Sequence, residues 1–305
     1  MKNSLLTIIL LLAKLIAFAQ IDMADSTVQV ITYWDKGDKQ TYTVKTEKVK
    51  IKGEDTTSRE LTSYEVEITV LNSDETSYTV EWLYKNIHSD NQNPTIQKIM
   101  NITKDMKVIF KTNELGVFVE VINWEEVRDY IRKAVGTLGK DFKDIPEMDK
   151  ILKQIEATYS TKEAIESASI KDIHQFHTFH GAKYKLGEVL QGQLKVPNLL
   201  GKEPFDSEIT VYLDEINQEK KNFIMRATQE INKEQLINAT LSYMEAMAKN
   251  MKVEPPKRED IKDLKNETLT ASRIHVSGWV IYSVQTTTVT SDDVQSIEER
   301  IIEIQ

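Results

Sequence analysis

The sequence predicts an α+β fold in which a large antiparallel β-sheet packs against a central helical block and one further helix. Three observations predict it. Apolar and polar residues alternate with period two near both ends of the chain, and stripes of period 3.6 fill the middle. No regular strand–helix–strand repeat links the two. The alternating strands each keep one polar face, which fits an antiparallel sheet that is wet on one side.

The first strand block covers residues 26–122. Val28 to Trp34 and Gln40 to Lys52 are split by Lys36-Gly37-Asp38. Tyr64, Val66, Ile68 and Val70 alternate with Glu65 and Glu67, and Tyr78, Val80, Trp82 and Tyr84 alternate with Thr79 and Glu81. Asn72-Ser73-Asp74-Glu75 between these runs suits a hairpin. Met106 to Thr112 and Val117 to Ile122 form another hairpin across Asn113 to Gly116.

Helical spacing takes over across residues 124–180. Trp124, Val127, Tyr130, Ile131, Ala134 and Leu138 form one stripe, with Asn123 as N-cap and Glu126 at N3. Met148, Ile151, Leu152, Ile155 and Tyr159 form a second. Ser160 and Glu163 open a third helix, which Gly181 ends. Strands resume over 185–231, as Lys185 to Val196, Ser207 to Ile216 and Asn222 to Ile231. A helix over 233–250 follows, stopped by Pro255-Pro256, and strands over 268–304 close the chain.

Met1 to Ala19 reads as a secretory signal peptide. Lys2 supplies the positive start, Leu5 to Ala13 the apolar run, and Ala17-Phe18-Ala19 the small-x-small cleavage pattern. The uncharged stretch from Asn3 to Ala13 is about half of the roughly 20 residues that a spanning helix needs, so cleavage is expected and the mature chain does not span a membrane. Residues 20–305 are then read as a single α+β domain. Removing Lys2 and Lys14 leaves 37 basic and 48 acidic residues, a formal charge of −11. That balance repels nucleic-acid backbones, and no compact Lys/Arg block offsets it. With no cysteine, the chain has no thiol chemistry, and its export without disulfides points to the periplasm of a Gram-negative bacterium or to secretion from one.

Two clusters carry candidate chemistry. His174, His177 and His180 recur every third residue, and imidazole is a common metal ligand. On a regular helix the outer two lie about 9 Å apart, so a pair with an outside carboxylate from Glu163, Glu166 or Asp172 is the easier geometry. The alternative is a helix end at which histidines meet the last carbonyls. Tyr243, Met244, Met247 and Met251 form the second cluster, either a core stripe against the sheet or the lining of an apolar ligand site. Acidic pairs such as Glu298-Glu299 read as solvated surface, since strand neighbours face opposite ways. The chain has no nucleophile elbow, no H-E-x-x-H, no phosphate loop and no dinucleotide fingerprint, so no cofactor is expected.

The signal ending in Phe18-Ala19-Gln20, the Lys36-Gly37-Asp38-Lys39 turn before Tyr42, and the stretch from His180 to Gly187 leading to Val196-Pro197-Asn198 resemble a known pattern. Ser277-Gly278-Trp279 completes it. The pattern is similar to a family of uncharacterised secreted bacterial proteins broadly like Lol-type periplasmic lipoprotein carriers. The resemblance implies a strongly curved sheet wrapped around helices, with lipid held between them. The expected function is therefore non-catalytic binding of an apolar small molecule or lipid between curved sheet and helices. A protein-interaction scaffold with an envelope partner is the alternative, and a metal-dependent hydrolase using the histidines comes third.

Overall fold

A computed structural model describes residues 20–305 except Leu199, Lys202, Lys262 and the side chain of Asn250. The export signal read at Met1–Ala19 lies outside the described residues. The strands are β1 (Ile21–Asp22), β2 (Thr27–Gln29), β3 (Lys39–Lys52), β4 (Asp55–Ser73), β5 (Ser77–Ser89), β6 (Lys107–Asn113), β7 (Phe118–Val121), β8 (Lys183–Lys185), β9 (Val189–Val196), β10 (Phe205–Asn217), β11 (Asn222–Ile231), β12 (Lys265–His275), β13 (Val280–Ser291) and β14 (Val294–Ile304). The helices are α1 (Pro94–Met100), α2 (Trp124–Asp141), α3 (Met148–Thr158), α4 (Lys162–Ala164), α5 (Lys171–His177) and α6 (Lys233–Met251). A π-turn, Ile165–Ser169, follows α4.

Strands from all three stretches enter one curved, unclosed antiparallel sheet, of eleven strands among the described residues, in the order β7-β6-β5-β4-β3-β14-β13-β12-β11-β10-β9. The last strand makes the join: β14 pairs with β3 from Val294↔Lys52 to Ile304↔Tyr42. A small sheet, β1-β2-β8, stands apart.

Alternation decides which face the helices cover. Val44, Val66, Ile68, Val80, Trp82, Val108 and Phe110 point inward and are fully buried or nearly so. Each such side chain contributes about 1.5–3 kcal/mol on leaving water. Glu67 and Glu81 on the opposite face pair with Lys39, Lys85 and Lys107 in solvent. Against the inner face lie α2 with Val127 and Ile131, α3 with Met148 and Leu152, and α5 with Ile173 and Phe176. At the other end of the sheet, α6 buries Leu236 and Ile237 in a separate small cluster with Phe205 and Leu264.

Several local expectations are corrected. Asn123 precedes α2 but does not cap it, because its Oδ1 accepts from the Ile109 amide at 2.7 Å and so ties the helix start to β6. Thr161, not Ser160, caps the third helical segment through the Ala164 amide. That segment is also not continuous. A π-turn and the non-helical Ile170 (φ −114°, ψ 40°) interrupt it, so a new helix starts at Lys171. Lys185 to Val196 divides into β8 and β9, which belong to different sheets. The spacing gave no sign of α1, although Asn93 with Pro94 is a regular helix start, the Asn93 side chain accepting from Thr95.

Candidate ligand site on the inner face

The short helix α5 crosses the inner face over β13 and β14. Gln175 fixes it there, donating to Ser283 Oγ at 3.0 Å and to the Arg300 carbonyl at 3.1 Å. A recess opens on each side of the helix. The first holds about 330 Å³ and is lined by Tyr64, Tyr84, Met106, Tyr159 and Asp172, with Lys48, Glu298 and Arg300 on the strands. The second also holds about 330 Å³, between α5 and Leu194, Ile209, Ala227, Gln229, Thr270 and Gln285. Lys171 lines both, and Arg300 in one stands directly across from Gln285 in the other. A larger recess, about 470 Å³, lies at the ends of β9–β11 and is walled chiefly by Asp206, Glu208, Glu230, Lys233 and other polar groups.

Charge in the first recess is closely matched. Asp172 is buried and accepts from Tyr64 and Tyr84, each at 3.0 Å. Burial first, and then the Asp172 charge, push both phenols well above their usual range, so they stay protonated donors. Tyr159 is pushed up to about 12, chiefly by burial. Glu298 meets Arg300 at 2.7 Å, Lys48 at 3.7 Å and Lys171 at 3.8 Å. Burial pushes the Glu298 carboxyl up, but Lys171, Arg300 and Lys48 together hold it below its usual value. Glu298 is therefore an inner-face residue, not the solvated charge that its neighbour Glu299 suggests. In the second recess, Gln285 donates to Thr270 at 3.0 Å. Gln175, also on that wall and buried, has no partner for its Oε1 among the described residues.

The histidines divide. His177 and His180 are buried, with ring centroids 5.1 Å apart among Trp34, Phe110 and Phe176. Each donates to the carbonyl of a glycine, His177 to Gly116 at 2.8 Å and His180 to Gly278 at 2.9 Å. Those glycines have φ of +86° and +83°, and a Cβ on either would strike the Ile31–Thr32 backbone or the Thr32 side chain. Burial drives His177 well below its usual value and takes His180 to about 4. His174 is exposed and bonds the Glu166 carbonyl.

The acids offered as metal partners are engaged elsewhere: Asp172 by the tyrosines, Glu166 by the Val121 amide at 2.7 Å, and Glu163 by Thr161 and its own backbone. Among the described residues no group of three or more such side chains is placed to hold a metal ion. The metal reading thus lacks an assembled ligand set. α5 ends at His177 because Thr178 is its C-cap, which leaves His180 outside the regular helix.

The Tyr243, Met244, Met247 and Met251 stripe is not core, since these residues are exposed by 47%, 38%, 44% and 66%. By helical spacing Met244, Met247 and Met251 continue the face of α6 that buries Leu236 and Ile237, yet in that second half Ala248 is buried and the methionines stay exposed. Neither 330 Å³ recess is lined by the stripe. The inner-face residues Arg300, Gln285 and Thr270 escaped sequence reading because their strands are polar on both faces, which removes the alternation signal. Among the described residues no helix is long and apolar enough to cross a membrane.

No protein-family model matches the chain, and no curated protein matches it in sequence. The family resemblance read from the turns therefore gains no support there. In the solved structures, a chain from a study of lipid–protein interactions in lipovitellin is similar over 90% of this chain at 9% identity, with a TM-score of 0.42. This chain spans 25% of that one. A likeness this distant carries no inference about what this chain binds.

Proposed function

We propose that this chain is an exported, non-catalytic envelope protein that binds an amphipathic ligand between the inner face of its sheet and its helices. The observation that carries the reading is the pair of recesses flanking α5. One offers Arg300, Lys171 and tyrosine hydroxyls, and the other adds Leu194, Ile209 and Ala227 to an amide and hydroxyl floor. A bare hydrocarbon would leave Gln175, Gln285 and Thr270 facing apolar surface, at about 1–3 kcal/mol for each polar group left unsatisfied. A lipid with a polar headgroup, or a lipidated partner, fits the mixed lining better. Envelope localisation rests on the signal at Met1–Ala19 alone.

Native mass spectrometry and organic extraction of protein purified from the envelope fraction test the reading. The expected result is a bound amphipath, lost in Ala227→Trp, which fills the second recess while leaving the circular dichroism spectrum unchanged. A ligand-free protein that also ignores fatty acids and phospholipid vesicles would sink it. The scaffold reading is favoured by a different observation, the exposed edge strand β9.

A further inference from the structure

The two edges of the large sheet end differently. β7 is four residues long and covered: its Val121 amide donates to Glu166 of the π-turn, and its Glu120 pairs with Lys162. β9 is eight residues long, bonds among the described residues only to β10, and is exposed from Val189 to Lys195. Long, apolar, unpaired edges are ones that natural sheets normally blunt with charge, proline or a bulge. Along β9 the single charge is Lys195 at one end, and Asp206 of the same chain already pairs with it.

The sequence of this edge reads the same in both directions. Leu190-Gln191-Gly192-Gln193-Leu194 is a palindrome centred on Gly192. Nothing among the described residues of the chain's own fold requires that glycine. Its φ is not positive, and a Cβ there would meet only Ile209 Cγ2 at an ordinary 3.5 Å. Glycine weakens a strand interior, and one such reason for its presence is the close approach of another backbone.

We propose that β9 pairs antiparallel with β9 of a second copy about a two-fold axis at Gly192, joining two eleven-stranded sheets into one. Each Leu190 then faces Leu194 of the other copy, and each Gln191 faces Gln193. This is the self-complementarity that an isologous interface demands. The leucines are 45% and 46% exposed in the single chain, and the pairing covers them. An axis perpendicular to the sheet also keeps both inner faces on one side. Leu194 lines the second recess, so the recesses of the two copies come to flank the axis.

Sedimentation equilibrium and oxidative cross-linking of the full mature chain test this. The native protein should sediment at twice the monomer mass. Leu190→Glu/Leu194→Glu sets carboxylates against one another and should give monomer, whereas Leu190→Lys/Leu194→Glu pairs opposite charges across the axis and should restore the dimer. Because the chain has no cysteine, Gly192→Cys introduces a unique thiol. Paired residues in antiparallel strands have Cα atoms about 4.5–5.5 Å apart, within disulfide reach, so this variant should oxidise to a covalent dimer. Val119→Cys on the opposite edge should not. A chain that stays monomeric at every concentration, with no Gly192→Cys dimer, overturns the proposal. A dimer that survives Leu190→Glu/Leu194→Glu places the interface elsewhere and overturns it too.

Discussion

The two halves of the large sheet share strand direction and alternation, yet they use their inner faces differently. Over β3–β7 the inward positions are Val44, Val66, Ile68, Val80, Trp82 and Phe110, sealed under α2, α3 and α5. Over β9–β13 the matching positions include Ile209, Gln229, Thr268, Thr270 and Gln285, which line an open recess. The sealed half gains most of its free energy from close packing of these side chains. The open half keeps groups that can be satisfied by water or by a ligand, and it contributes less to stability. The division is one of degree: Leu213, Phe223, Met225, Ile274 and Val280 of the open half join the same core, and the first recess opens beside Tyr64 and Tyr84 of the sealed one.

The hardest test of that division is to damage the sealed half at its centre. Phe176 is 1% exposed and packs within 5.0–6.4 Å of Trp34, Tyr42, Trp82, His177, His180 and Trp279 by ring centroid. Phe176→Ala should lower the unfolding free energy by about 3–5 kcal/mol, measured by urea titration. A loss below about 1 kcal/mol would mean that the aromatic cluster is not the stabilising centre.

Acid should weaken the same half next. His177 and His180 have folded-state pKa values below the ordinary 6.5, so the unfolded chain binds more protons than the folded one. Their contribution is complete above pH 6.5 and is lost as the pH falls toward the folded value, about 4 for His180. The full loss from His180 alone is on the order of 3 kcal/mol. Glu298 and Glu67, held below their ordinary 4.5, keep their contribution above that value and lose it only at lower pH. Urea titrations between pH about 6.5 and about 5 therefore report on the histidines, with a further part from His275, whose value burial also lowers. His180→Phe should flatten the slope in that window, and an unchanged slope would remove His180 from the account.

The strand-rich ends, the helical middle and the wet outer face were legible because Tyr64 to Val70 and Tyr78 to Tyr84 alternate cleanly and Trp124 to Leu138 keeps helical spacing. Sheet order was not legible. The β14–β3 pairing joins residues about as far apart as the chain allows, and no local signal encodes it. The histidines stood out by spacing, but their fate depends on Gly116 and Gly278, distant turns whose carbonyls receive them. Asp172 looked like a spare carboxylate until Tyr64 and Tyr84 arrived from two strands. Helical spacing groups Met244, Met247 and Met251 with Leu236 on one face of α6, but spacing alone does not show that the leucine is buried and the methionines are exposed.

The smallest effect belongs to α6. Its cluster of Phe205, Leu236, Ile237 and Leu264 is separate from the main core, and in the second half of the helix Ala248 is buried while Met244, Met247 and Met251 stay exposed. Small satellite clusters support local opening at free energies below that of global unfolding. Leu236→Ala removes buried methyl groups from this cluster and should cost about 2 kcal/mol there. With its cluster separate from the main core, the cost should appear as faster amide exchange along Lys233–Met251 and adjoining β10, with protection in β4 and β5 unchanged. Equal loss of protection in both halves would show that the sheet unfolds as one unit, and the separation between a sealed half and an open one would then describe packing without describing stability.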